Sequence, residues 1–166
     1  ASGVGDVRLL RSVSGAVSVD GAAGTELTAT SIGGAITVRR AKARTMDLRS
    51  IGGAVHVSDS EADRVAVRAL SGDIEFGGRI SRNGRYDIQS RTGRVVVAPV
   101  GSEGFEVEVA TRNGEFRSDF PLTLRDSSSG PRRGNQRTRL VQGTFGDGGG
   151  LLTLRSYSGG ITIERR

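Results

Sequence analysis

The chain has 166 residues, enough for one domain with a buried core, and 26 of them are glycine, more than twice the usual share of about 7%. With no cysteine and His56 as the only histidine, disulfide scaffolds, thiol catalysis and His-rich metal centres are excluded. The net charge of +6 is spread over arginines interleaved with Asp and Glu, the pattern of a solvated surface rather than a nucleic-acid patch, and no apolar run is long enough to span a bilayer.

In chain order, the first recognisable unit is Ser12-Val13-Ser14-Gly15-Ala16-Val17-Ser18-Val19. It recurs as Ser31-Ile32-Gly33-Gly34-Ala35-Ile36-Thr37-Val38 and Ser50-Ile51-Gly52-Gly53-Ala54-Val55-His56-Val57. Looser copies centre on Gly72, Gly93 and Gly114, and a last clear one on Gly159. The gaps between these glycines are 19, 19, 19, 21, 21 and 45 residues, so the final gap is expected to hide a distorted coil.

Each unit reads as two short strands with period-2 alternation. Ahead of the glycine the inward residues are pairs such as Leu27/Ala29, Met46/Leu48, Val65/Val67 and Leu152/Leu154. Behind it they are pairs such as Ile36/Val38, Val55/Val57, Ile74/Phe76 and Ile161/Ile163. Inward parity is odd before the glycine and even after it, so the glycine marks a corner where a tight bend or positive φ is required. Small hydroxyl residues around it allow close stacking and offer partners to the corner amides.

A unit of about 20 residues with one apolar face per strand cannot bury itself, whereas stacked units line up a continuous core. The expected fold is therefore all-β: a single β-solenoid domain over residues 1–166, of about eight coils. A β-sandwich is the competing architecture, but it does not explain one corner motif recurring every 19 residues. Residues 119–147 break the pattern as an irregular insertion, with a polar loop over 126–135 and a strand over Arg139–Phe145.

The recurrent Ser-x-Ser-Gly-x-Ile-x-Val units carry a family resemblance. With Gly143-Thr144-Phe145-Gly146-Asp147-Gly148 and the block Leu152–Ile163, the chain resembles the bacterial adhesin-type, or toast-rack, domain, a β-solenoid of unknown function. That resemblance implies an extracytoplasmic, envelope-associated domain with roles in surface contact or stress sensing, tethered by a segment outside this chain. It carries no catalytic residues, and no cofactor or metal is expected.

Function in a solenoid resides in its outward columns. Four residues before the corners the column contains Arg11, Arg49, Arg68 and Arg155, a stripe suited to bidentate contacts with an anionic cell-surface polymer. Two residues earlier, Asp47, Asp87 and Glu108 can neutralise it through diagonal pairs, so a salt-laced face is the competing reading. Val13, Ile32, Ile51 and Leu70, two before the corner, either fold into the core or form an exposed ridge for another envelope protein; the parity change there favours the core. His56 is expected beside Glu75 as a surface pair, and Asp59-Ser60-Glu61-Ala62-Asp63 as a solvated turn rather than a calcium loop. Gly146–Gly150 precedes a strand and lacks the helix and lysine of a phosphate-binding loop. The functional expectation is a non-catalytic, envelope-associated binding or sensing surface. The alternatives are a scaffold that polymerises end to end, with self-association through open solenoid ends, and a polysaccharide-active enzyme, which would need paired carboxylates in a groove.

Overall fold

The computed structural model describes residues 7–101, 104–126 and 139–165; most of the 126–135 loop lies outside them. Described residues form 14 strands and no helix. In chain order these are β1 (Val7–Ser12), β2 (Val17–Asp20), β3 (Ala23–Ser31), β4 (Ile36–Arg39), β5 (Lys42–Ser50), β6 (Val55–Ser71) and β7 (Ile74–Thr92). There follow β8 (Val95–Val97), β9 (Phe105–Thr111), β10 (Phe116–Ser118), β11 (Thr123–Asp126), β12 (Arg139–Phe145), β13 (Gly150–Ser158) and β14 (Ile161–Ile163).

Every repeat copy becomes one rung, with a strand before the corner glycine and a strand after it. Neighbouring rungs pair in parallel and in register, as in Leu27↔Met46, Met46↔Val65 and Val65↔Tyr86 on one side. On the other side Val17↔Ile36, Ile36↔Val55 and Val55↔Ile74 do the same. This is a β-solenoid, and parallel rungs are incompatible with the antiparallel layers of a sandwich. The inward residues expected from parity, among them Leu48, Val55, Val67, Ile74, Leu154 and Ile161, are buried in one core running the length of the stack. Seven rungs at about 4.8 Å each make a rod about 30 Å long.

The rungs do not stack in chain order. Strand β13 pairs with β7 on one side and with β9 on the other, both in parallel, and β14 sits likewise between β8 and β10. The last repeat copy is thus inserted between the fifth and sixth. Among the described residues, the 45-residue gap holds no distorted coil. Its strands β11 and β12 form an antiparallel pair, with β12 antiparallel to β9, and this pair occupies the place an eighth rung would take. Three phenylalanines seal that end, with Phe105, Phe120 and Phe145 at centroid separations of 5.4, 5.4 and 4.9 Å.

The two extra residues of the fifth unit help position the inserted rung. Opposite the single residue Asp63, β7 carries four, Ser81–Gly84. This bulge meets the turn ahead of β13: Asn83 N–H donates to the Gly149 carbonyl at 2.6 Å, and Arg82 pairs with Asp147 at 3.2 Å.

Corner chemistry follows the hydroxyl three residues before each glycine. Gly15, Gly34, Gly53 and Gly114 donate their N–H to Ser12, Ser31, Ser50 and Thr111 at 3.0, 3.0, 3.1 and 2.9 Å. At Gly72 and Gly93 φ is positive (149° and 137°), and the N–H instead reaches the next rung, at Thr92 O and Ser158 O. In that tighter corner the hydroxyl has lost its task. Ala69 stands in its place in one rung, Ser156 turns to donate to the Gly159 carbonyl at 3.1 Å, and Ser90 Oγ is left buried without a partner. Ser50→Ala should therefore cost about 1 kcal/mol, read by denaturant unfolding, because it strips the Gly53 N–H of its acceptor.

At the second bend, φ is positive at Gly21, Arg40 and Asp59 (65°, 49° and 50°). Hydrogen bonds of 2.8 and 2.7 Å from the Arg40 guanidinium hold the Asp20 carboxyl below its usual titration range.

Candidate functional site

Stacking converts sequence columns into spatial ones. The column four residues before the corners runs Arg11, Thr30, Arg49, Arg68, Gln89, Arg155, Ala110 through the paired strands. The four arginines of the expected stripe do not act alike. Arg49 is engaged by its own strand, donating to Asp47 at 3.1 and 3.0 Å, and Arg11 is separated from it by Thr30. Neutralisation thus runs along the strand, two residues away, and not across the diagonal. Gln89 similarly donates its amide to Asp87 at 3.1 Å.

Arg68 and Arg155 are brought together, one rung to either side of Gln89. They line a shallow groove of about 540 Å³ together with Arg91, Arg112, Tyr157 and Ser90. The guanidinium groups of Arg68, Arg91 and Arg155 make no ion pair or hydrogen bond among the described residues. Arg112 lies over the Tyr157 ring, 5.0 Å from its centroid, and donates to its hydroxyl at 3.2 Å. No carboxylate of the described residues lines the groove. The result is a cationic concavity with one aromatic face, the surface that anionic groups are drawn to.

Val13, Ile32, Ile51 and Leu70 are not in the core. They are 69%, 46%, 49% and 44% exposed, because the corner peptides swing this position outward between the two sheet faces. Backbone bonds such as Ile32 N–H to Ser12 O and Ile51 N–H to Ser31 O stack them into an apolar ridge. Continued along the rod, the same column becomes Arg91, Tyr157 and Arg112, so ridge and groove form one continuous edge. Sequence reasoning missed Arg91, Arg112 and Tyr157. Each nevertheless stands two residues before a repeat glycine, and extending the ridge column past Leu70 would have found them.

His56 lies between Thr37 and Glu75, with Nδ1 3.2 Å from the Glu75 carboxylate and both side chains about half exposed. The acidic segment is not a free turn but part of β6, with Asp59 at positive φ, Ser60 and Ala62 buried, and Glu61 facing Lys42 at 3.9 Å. Described residues contain no group of three metal-capable side chains, and no helix long and apolar enough to cross a membrane.

A right-sized repeat, parallel rungs and a glycine-cornered core define the class as a parallel β-solenoid of small-residue corners. The family model described as Toastrack DUF4097 matches residues 6–164. The chain belongs to the Toastrack family, whose function is unknown. No curated protein and no solved structure matches it.

Proposed function

We propose that the chain is a non-catalytic, envelope-associated binding module that presents its glycine-corner edge to an anionic polymer of the cell surface. The observation that carries this reading is the groove in which Arg68, Arg91 and Arg155 converge without acidic partners among the described residues. Unpaired guanidiniums at neighbouring rungs offer bidentate donors with no internal ion pair to break first. The flat ladder around the groove supplies rigidity, so little ordering entropy is lost on contact.

On immobilised anionic glycopolymer at fixed ionic strength, Arg68→Glu/Arg155→Glu should lower affinity by at least about tenfold. Arg39→Glu/Arg117→Glu, the same change of net charge away from the groove, should leave most of the binding in place. Equal loss in both variants, or none in the first, would overturn the reading. The exposed Val13–Ile32–Ile51–Leu70 ridge favours a second reading, in which an apolar surface of another envelope protein lies along the same edge.

A further inference from the structure

An anionic polymer accounts for the groove but leaves Val13, Ile32, Ile51 and Leu70 facing water, an exposure that marks a docking surface. These side chains stand in single file at the rung spacing, about 14 Å from first to last. Beyond Leu70 the file continues as Arg91, Tyr157 and Arg112. The composition of this edge is a second observation. Seven five-residue corner segments centred on these positions hold six arginines and no Asp or Glu. The chain's 18 carboxylates all lie elsewhere in the sequence. Asp47 reaches back to engage Arg49, while the guanidinium groups of Arg68, Arg91 and Arg155 have no partner among the described residues.

We propose that this edge docks on the surface of an anionic lipid bilayer, with the aliphatic ridge in the headgroup layer and the arginines on lipid phosphates. A bilayer interface offers an apolar phase and anionic groups side by side, and binding to it grows with both buried apolar area and cationic charge. The ridge meets the first and the groove meets the second. Half-exposed Tyr157 and the long arginine side chains suit the boundary, since each carries an apolar body and a polar tip. Shape agrees with the chemistry. Rungs repeat about every 4.8 Å and helix turns about every 5.4 Å, so an amphipathic helix lying along seven rungs slips nearly one rung out of step. A fluid surface has no period to match, and a straight, rigid edge can meet it at every rung. This inference rests on the anion-binding reading of the groove and extends it to the whole edge.

The test uses vesicles of phosphatidylcholine alone and of phosphatidylcholine with about 30% phosphatidylglycerol. The full chain should partition onto the mixed vesicles at least about tenfold more strongly, and less so as salt rises. Because the chain has no tryptophan, Ile51→Trp places a single reporter on the ridge. Its emission should shift to the blue on the mixed vesicles and be quenched by brominated lipid. Ser18→Trp, on the outward face of β2, should show neither change. Ile32→Ser/Leu70→Ser should weaken vesicle binding by at least about tenfold, with the melting temperature nearly unchanged because both side chains are exposed. The same variant should keep its retention on immobilised heparin, an anionic glycopolymer. Vesicle binding without the blue shift, or unaffected by the serine variant, would mean that the arginines act alone and would overturn bilayer docking. Heparin retention without vesicle binding would also overturn it and return the edge to a polymer. Self-association of the lipid-free chain, abolished by Ile32→Ser/Leu70→Ser, would give the ridge to a second copy and overturn docking. The first two results leave the anion-binding groove standing, whereas failure to bind heparin and vesicles alike would overturn both.

Discussion

Gly53→Ala should destabilise the protein by at least about 3 kcal/mol, lowering the melting temperature by roughly 10 °C for a chain of this size. The reason is not backbone dihedral freedom, since Gly53 does not have positive φ. A Cβ there would be driven into the carbonyl group of Gly34 on the rung below, and that contact is repeated by Gly34 over Gly15 and Gly72 over Gly53. Backbone on both sides cannot give way as the end of a flexible side chain can, so relief requires the rungs to part and their ladder bonds to stretch. Gly33→Ala is the control. Its Cβ would lie 3.5 Å from the Val13 carbonyl, an ordinary contact, and the cost should stay within about 1 kcal/mol. Equal melting temperatures for the two variants would contradict the stacked corners.

Tyr86→Phe should cost about 2 kcal/mol, measured by urea unfolding, although it removes a single oxygen. The Tyr86 hydroxyl accepts from the Ser81 N–H at 2.8 Å and donates to the Ala62 carbonyl at 2.8 Å. It thereby ties off the bulge at the point where β7 leaves register with β6. Phenylalanine would fill the same core space, against Phe76 at 5.7 Å, but leave both backbone groups unsatisfied. Burial also raises the phenol's titration point. Its contribution is whole below the unfolded value of about 10 and lost as pH rises through the higher folded value. The gap between wild type and Tyr86→Phe should therefore narrow in strong alkali. A loss below about 0.5 kcal/mol would mean the bulge is held by other bonds.

Much of this was legible in the sequence because stacking obeys local rules. Period-2 parity identified Met46, Leu48, Val55 and Val57 as core, and the constant 19-residue spacing placed His56 beside Glu75. Parity failed at Val13, Ile32, Ile51 and Leu70, which lie in the corner peptides, where alternation between two sheet faces no longer applies. Rung order was hidden for a different reason. Every copy offers its neighbours the same ladder and the same apolar pair, so Leu152/Leu154 fits beside Tyr86/Ile88 as well as Val107/Val109 does. What selects the order is the Ser81–Gly84 bulge and the antiparallel return through β12, and only the lengthening of two spacings hinted at either. The groove was half visible: Arg68 and Arg155 came from one column, whereas their approach to Arg91 and Arg112 depends on the inserted rung.

That insertion carries a consequence for biosynthesis. As the polypeptide leaves the ribosome, the first five layers can assemble one upon another, each on a template already in place. The sixth place in the pile must wait, because residues 105–118 reach their seats only when residues 150–163 slide between them and the growing edge. Assembly is thus sequential at first and concerted at the end, with the closing step delayed until the late segment has been translated.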